Sequence, residues 1–138
     1  MEKGITLDNT HLMMISTSDL AYLGDAVYEL KIRKNLILRG INGAGNLSCA
    51  AALFVTAPNQ AKFLSAIKDK LTEEEISVAN RARNKKPHHV PKHSSRAEYL
   101  YATALEAVFG YLSLKGDEDR IDDLINLIIE VHYSQVNE

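Results

Sequence analysis

Two stretches of this chain put a glycine and an acid inside what otherwise reads as core helix, and nothing else in its 138 residues constrains the fold as much. The first is Leu20-Ala21-Tyr22-Leu23-Gly24-Asp25-Ala26-Val27; the second is Tyr101-Ala102-Thr103-Ala104-Leu105-Glu106-Ala107-Val108-Phe109-Gly110. A glycine in a helix interior costs ~1 kcal/mol relative to alanine, so it is kept there for a packing reason. Close approach of two helix backbones is the simplest such reason. If the Gly24 and Gly110 faces meet, Asp25 and Glu106 converge on one point although 81 residues separate them. Two carboxylates held at one buried point repel and raise each other's pKa unless a cation lies between them. Magnesium takes oxygen ligands, typically one or two protein carboxylates beside waters and phosphate oxygens. A cation so held can activate water and stabilise an in-line displacement at phosphorus. The competing reading is that both acids are solvated on helix faces that merely pass the edge of the core. Acids in helices are common, and spacing alone does not decide between the two.

The rest of the chain reads as helices in one domain, residues 1–138, with a core at about 18–133. There is no period-2 run bounded by turn residues and no Asn-Gly or Asp-Gly hairpin, so the fold class is all-α. A first long helix is expected from about Ser18 to Arg39, with Ser18 as N-cap, Gly40 just past its end, and a buried face of Leu20, Leu23, Val27 and Leu30. Asn46 to Val55 is an apolar, alanine-rich helix. The chain restarts at Thr56-Ala57-Pro58, with proline in the first turn of the next helix. Capping boxes open two more, Thr72-Glu73-Glu74-Glu75 toward Arg83 and Ser95-Arg96-Ala97-Glu98 toward Leu114, the second stopped by Gly116. Asp117 to Asp119 caps a last helix whose Ile121, Leu124, Ile125, Ile128 and Ile129 form an apolar stripe. Between the two capping boxes, Lys85 to Ser94 contains Pro87 and Pro91 and is expected to be an exposed loop.

A formal net charge of −2 conceals an uneven distribution. Six of the sixteen Lys and Arg (Arg81, Arg83, Lys85, Lys86, Lys92, Arg96) lie between residues 81 and 96 with His88, His89, His93 and no acid. The remaining ten face all eighteen acids. Concentrating cations costs repulsion, so this segment, with Asn84 inside it, is a candidate contact for nucleic acid phosphates. A duplex recognised by shape needs such phosphate and 2′-hydroxyl contacts more than base contacts. No run of 18 apolar residues predicts a transmembrane helix. The polar start MEKGITLDNT lacks the apolar stretch of a secretory signal. The single Cys49 excludes an internal disulfide, which points to a reducing, cytoplasmic setting.

At the glycine-acid segments the sequence resembles a known family. Leu20-Ala21-Tyr22-Leu23-Gly24-Asp25-Ala26-Val27-Tyr28-Glu29-Leu30 is similar to the ribonuclease III signature, and Glu106-Ala107-Val108-Phe109-Gly110 to that family's second acidic segment. The family's fuller pattern has two further acids. Here Ala21 stands one turn before Asp25 and Thr103 three residues before Glu106. Both departures, the lack of sequence for a double-stranded-RNA-binding domain, and the segment Arg81-Ala82-Arg83-Asn84 resemble the Mini-III branch of that family. The resemblance implies a homodimer with one RNA valley and two cleavage sites. It implies Mg²⁺-dependent hydrolysis of double-stranded RNA, with Asp25 and Glu106 as catalytic cation ligands, leaving 5′-phosphate and 3′-hydroxyl ends. It also implies a role in trimming the ends of a large-subunit (23S-type) ribosomal RNA precursor. The alternative is a ribonuclease III-like module that binds structured RNA without cutting it, which the two missing acids favour; a helical protein–protein adaptor is more remote.

Other residues near these motifs have ordinary readings. Glu29 is expected to be solvated and paired with Arg33 at i+4. Tyr22 and Tyr28 are assigned to core or dimer packing rather than RNA contact, Thr103 to a structural role, and Cys49 to the core as a small residue. The three histidines lack an orienting acid and read as solvated or phosphate-facing.

Overall fold

The three longest helices each begin at a residue whose side chain accepts from a first-turn backbone N–H. The computed structural model describes residues 8–86, 90, 92 and 94–136; Pro87, His88, His89, Pro91 and His93 lie outside the described residues. Among those described there are seven α-helices, one 3₁₀ turn and no strand. α1 spans Asn9–Met14, α2 Thr17–Leu38, α3 Ala44–Val55, α4 Ala57–Ile67, α5 Glu73–Arg83, α6 Arg96–Lys115 and α7 Glu118–Val136, with the 3₁₀ turn at Lys68–Lys70.

Both capping boxes form as the sequence predicts. The Thr72 hydroxyl accepts from the Glu75 backbone N–H at 3.2 Å while Glu75 accepts from Thr72 N–H at 2.9 Å. Ser95 and Glu98 do the same at the start of α6. Each box satisfies two helix-end donors that would otherwise be left over. Gly40 and Gly116 follow the helices they terminate, with φ of +92° and +81° that only glycine adopts without strain. Asp117 accepts from the Arg120 N–H in the first turn of α7 at 3.2 Å. The cap of α2 differs from the expectation: Ser16, not Ser18, accepts from Asp19 N–H, at 3.1 Å. The short α1 was not anticipated.

α6 lies at the centre, with α2, α4 and α5 packed on it. Ala104, Leu105, Ala107, Val108 and Phe109 on α6 are fully buried. The five predicted positions of α7 are all buried, led by Ile121, Leu124 and Ile128. Burying each such side chain is worth roughly 1.5–3 kcal/mol, which makes this contact set the main source of stability.

Two expectations about packing are corrected. The buried face of α2 is Leu20, Ala21, Gly24, Tyr28, Ile32 and Leu36, while Leu30 is 52% exposed and Leu23 and Val27 are only half-buried. Apolar residues surround much of this helix, so the sequence alone did not fix its rotation. Tertiary contacts do: the Tyr28 hydroxyl donates to the Phe54 carbonyl at 2.7 Å, tying α2 to the end of α3. Cys49 is exposed rather than core, because α3 buries only Phe54 fully and turns the rest of its apolar surface outward or to the edge.

Candidate active site

α2 and α6 cross in backbone contact at the two glycines. A Cβ added at Gly24 would lie 1.6 Å from the Glu106 carbonyl oxygen and 2.8 Å from the Gly110 nitrogen. One added at Gly110 would lie 1.9 Å from the Leu20 carbonyl oxygen. No side chain fits at either position, which gives the helix-interior glycines their packing reason. Their neighbours on the two helices, Asp25 and Glu106, are thereby brought together, and their carboxyls meet within hydrogen-bond reach.

The two acids differ in setting. Asp25 is exposed on the rim, which corrects the expectation of a buried acid, whereas the Glu106 carboxyl is set back between helices. Burial, then the charge of Asp25 and the hydrogen bond with it, push the Glu106 carboxyl up to about 8. At neutral pH the metal-free fold therefore favours the protonated Glu106 carboxyl. A divalent cation at the same point would favour loss of that proton and full charge on both carboxylates.

Gln60 completes the site, and sequence reasoning missed it. It sits on α4, 2% exposed, in line with the buried Leu64 and Ile67. Its carboxamide faces Glu106 and favours the charged carboxylate, yet its Nε2 is buried and closes no hydrogen bond. A buried donor left unmade costs about 1–3 kcal/mol. The signal was present: Gln60 is a polar residue at an apolar position of a helical stripe, as is Glu106.

The remaining candidates fall into three places. Ala21 and Thr103 stand where the family pattern has acids; Ala21 is buried and the Thr103 hydroxyl donates to the Tyr99 carbonyl at 2.8 Å, one turn back on its own helix. Glu29 pairs with Arg33 at 2.5 Å, also as expected, and does not join the site. Tyr28 is core, while Tyr22 is 85% exposed on the outer side of α2.

The basic segment begins at the end of α5. Asn84, Lys85, Lys86, Lys92 and Arg96 are exposed, and Arg83 lies over the Tyr101 ring at 5.9 Å. Lys85 Nζ donates to the Ser18 hydroxyl at 2.6 Å. Ser18 is seven residues before Asp25 on α2, or roughly 10 Å along the axis, so the segment starts within two turns of the acids. Arg81 does not belong with the others. Its guanidinium turns inward, donates to the Met13 carbonyl and to the Ile15 carbonyl at 3.2 Å, and pins the α1–α2 connection. Arg81 thus differs from the exposed members of the segment in having both terminal nitrogens on backbone carbonyls.

Among the described residues no group of three or more His, Cys, Asp or Glu could hold a metal ion. The site is thus a two-carboxylate site with an unpartnered amide donor beside it. That donor set suits a hard cation that keeps most of its waters. No described helix is long and apolar enough to cross a membrane.

The family model of the ribonuclease III domain matches residues 18–117. A Mini-ribonuclease 3 from Symbiobacterium thermophilum is 42% identical over 106 residues, covering 77% of this chain and 82% of that protein. One from Thermoanaerobacter is 35% identical over 139 residues, covering 95% and 98%. One from Staphylococcus aureus is 31% identical over 125 residues, covering 89% and 93%. A crystal structure of a protein from Fusobacterium nucleatum matches with a TM-score of 0.76 at 34% identity, covering 86% of this chain and 95% of that one.

Proposed function

The chain belongs to the ribonuclease III family and is an endoribonuclease of that type; from that premise we propose that it hydrolyses double-stranded RNA with Mg²⁺ held by Asp25 and Glu106. The observation that carries this reading is the meeting of these two carboxyls at a helix crossing too tight for any side chain at Gly24 or Gly110. Retention of both acids at that point favours cleavage over RNA binding alone.

When bound, the cation supplies charge neutralisation at the phosphate and a more acidic attacking water. The protein supplies placement. Asp25 stands at the surface, where a phosphate can approach, and Glu106 fixes the inner side of the site. Arg83, Asn84, Lys85, Lys86, Lys92 and Arg96 hold the duplex by its phosphates, which carry no sequence information and set its register over the acids.

The working form in this reading is a homodimer. One chain offers one acid pair, and cutting both strands of a duplex in one encounter needs two related by a two-fold. Tyr22, Ala26 and Leu30 recur at i, i+4 and i+8 on the exposed side of α2, and an apolar stripe of that kind suits a second copy. The assignment to 5′-phosphate and 3′-hydroxyl products and to ribosomal RNA precursor ends follows from the resemblance to the Mini-III branch, and that to the cytoplasm from the single Cys49.

The test is incubation of the purified protein with a long RNA duplex and with a single strand of the same sequence, in Mg²⁺ or in EDTA. Cleavage of the duplex in Mg²⁺ alone is the expected result. Equal cleavage in EDTA, or binding without cleavage, would contradict the reading.

A further inference from the structure

Among the described residues Gln60 carries a buried side-chain donor, Nε2, that has no hydrogen-bond partner. It projects from the inner face of α4, where Leu64 and Ile67 show that an apolar residue would pack without polar cost. Its Nε2 is buried without a partner, and the group it faces is the Glu106 carboxyl. Buried polar groups in folded proteins are almost always paired, so an orphan donor aimed at an acid calls for an explanation. A carboxylate that ligates a cation is ionised, and charge-assisted hydrogen bonds to such an acceptor are shorter and roughly twice as strong as neutral ones.

We propose that Gln60 is a positioning residue of the cation site: its Nε2 donates to one Glu106 oxygen when a divalent cation is held at the pair, fixing the carboxylate so that its other oxygen stays turned toward Asp25. The inference rests on the cation-site reading above and adds to it a residue that never touches RNA. It also makes the metal-free state bear the cost of an unmade hydrogen bond that cation binding removes. α4 thereby becomes part of the site, although neither acid lies on it.

The probe is Mn²⁺ alone, titrated into the RNA-free protein and followed by loss of the free-ion paramagnetic signal. Melting of each protein in EDTA is the companion measurement. Gln60→Met keeps the length of the side chain and removes the donor. In EDTA it melts at or above the parent temperature, because an unpaired buried donor has been replaced by an apolar group. It nevertheless binds Mn²⁺ about tenfold more weakly, the scale of one lost hydrogen bond to a charged group. A purely structural glutamine gives the reverse pattern, a lower melting temperature and unchanged Mn²⁺ binding, and overturns the proposal. Gln60→Asn retains the amide one methylene short of Glu106 and also binds Mn²⁺ more weakly; if Gln60→Met does not fold, this variant decides. Failure of both variants to fold makes Gln60 structural and overturns the proposal too. Mn²⁺ binding by the parent with equal binding by the variants sinks the role of Gln60 alone. No Mn²⁺ binding by the parent sinks the cation site and Gln60 with it.

Discussion

Replacing Gly24 by alanine tests the helix crossing on which the site depends. In an ordinary helix this change stabilises by ~1 kcal/mol, because glycine has the worse helix propensity. Here the new Cβ would sit 1.6 Å from the Glu106 carbonyl oxygen, where ordinary contact begins at 3.4 Å. The two helices must therefore part by about 1.8 Å, and the obstacle is backbone, which cannot swing aside as a side chain can. Overpacking a core costs typically ~1–3 kcal/mol, and a backbone obstacle belongs at or beyond the upper end. After subtracting the propensity gain, a net loss of about 2 kcal/mol or more remains. For a chain of this size that lowers the melting temperature by on the order of 6 °C or more. The control is Gly45→Ala, where an added Cβ meets nothing within 4 Å and φ is not positive; it should melt at or slightly above the parent. Displacement at the crossing also parts Asp25 from Glu106, and a ~1 Å misplacement of reacting groups can cost on the order of 10²-fold in rate. Circular dichroism melts and duplex cleavage of the three proteins, side by side, make the assay. A Gly24→Ala protein that melts no lower than the parent and cuts duplex at the parent rate refutes the tight crossing.

Changing Arg83, Lys85 and Lys86 together to alanine should weaken binding to many duplexes alike and flatten the salt dependence measured by filter binding, while cleavage at saturating RNA survives better than affinity. Arg81→Met should instead lower the melting temperature, since Arg81 holds the carbonyls of Met13 and Ile15, with little change in the salt slope of RNA binding. Because Glu106 titrates at about 8 in the metal-free fold against 4.5 for the free side chain, its contribution is most favourable below pH 4.5 and is lost as pH rises toward 8. Melts in EDTA across that window should show the decline, and Glu106→Gln should remove it. Sedimentation should give about twice the 15.3 kDa chain mass; a strict monomer at micromolar concentration that still makes double-strand breaks would contradict the dimer.

Where the sequence was informative, the information was local. The capping boxes at Thr72 and Ser95 and the stops at Gly40 and Gly116 act within four residues, and all four hold in the structure. The meeting of Gly24 with Gly110 is not local, but it was legible because each glycine sits where only a close neighbour explains it. What was not legible depends on distant partners. The six-residue α1 is held through Arg81, 66 residues or more away, and has no amphipathic pattern long enough to show itself. That same contact turns Arg81 away from the basic cluster it belongs to by sequence. The exposure of Asp25, Leu30 and Cys49 depends on the rotation of α2 and the outward placement of α3, which apolar-rich helices leave open until Tyr28 reaches Phe54. Gln60 was readable as a misplaced polar residue, yet the carboxyl it faces lies on α6, 46 positions away.

The central claim is that Asp25 and Glu106 act as one cation-dependent cleavage site, and Asp25→Asn tests it most directly. Asp25 lies on the exposed rim, so the change leaves the core intact and the melting temperature near that of the parent. Duplex binding, which we assign to the basic segment, should persist. Cleavage of a long RNA duplex in Mg²⁺ should fall by on the order of 10³-fold or more, the several kcal/mol expected when a ligand of a rate-determining cation is removed. A folded, duplex-binding Asp25→Asn protein that cuts at close to the parent rate would contradict the account.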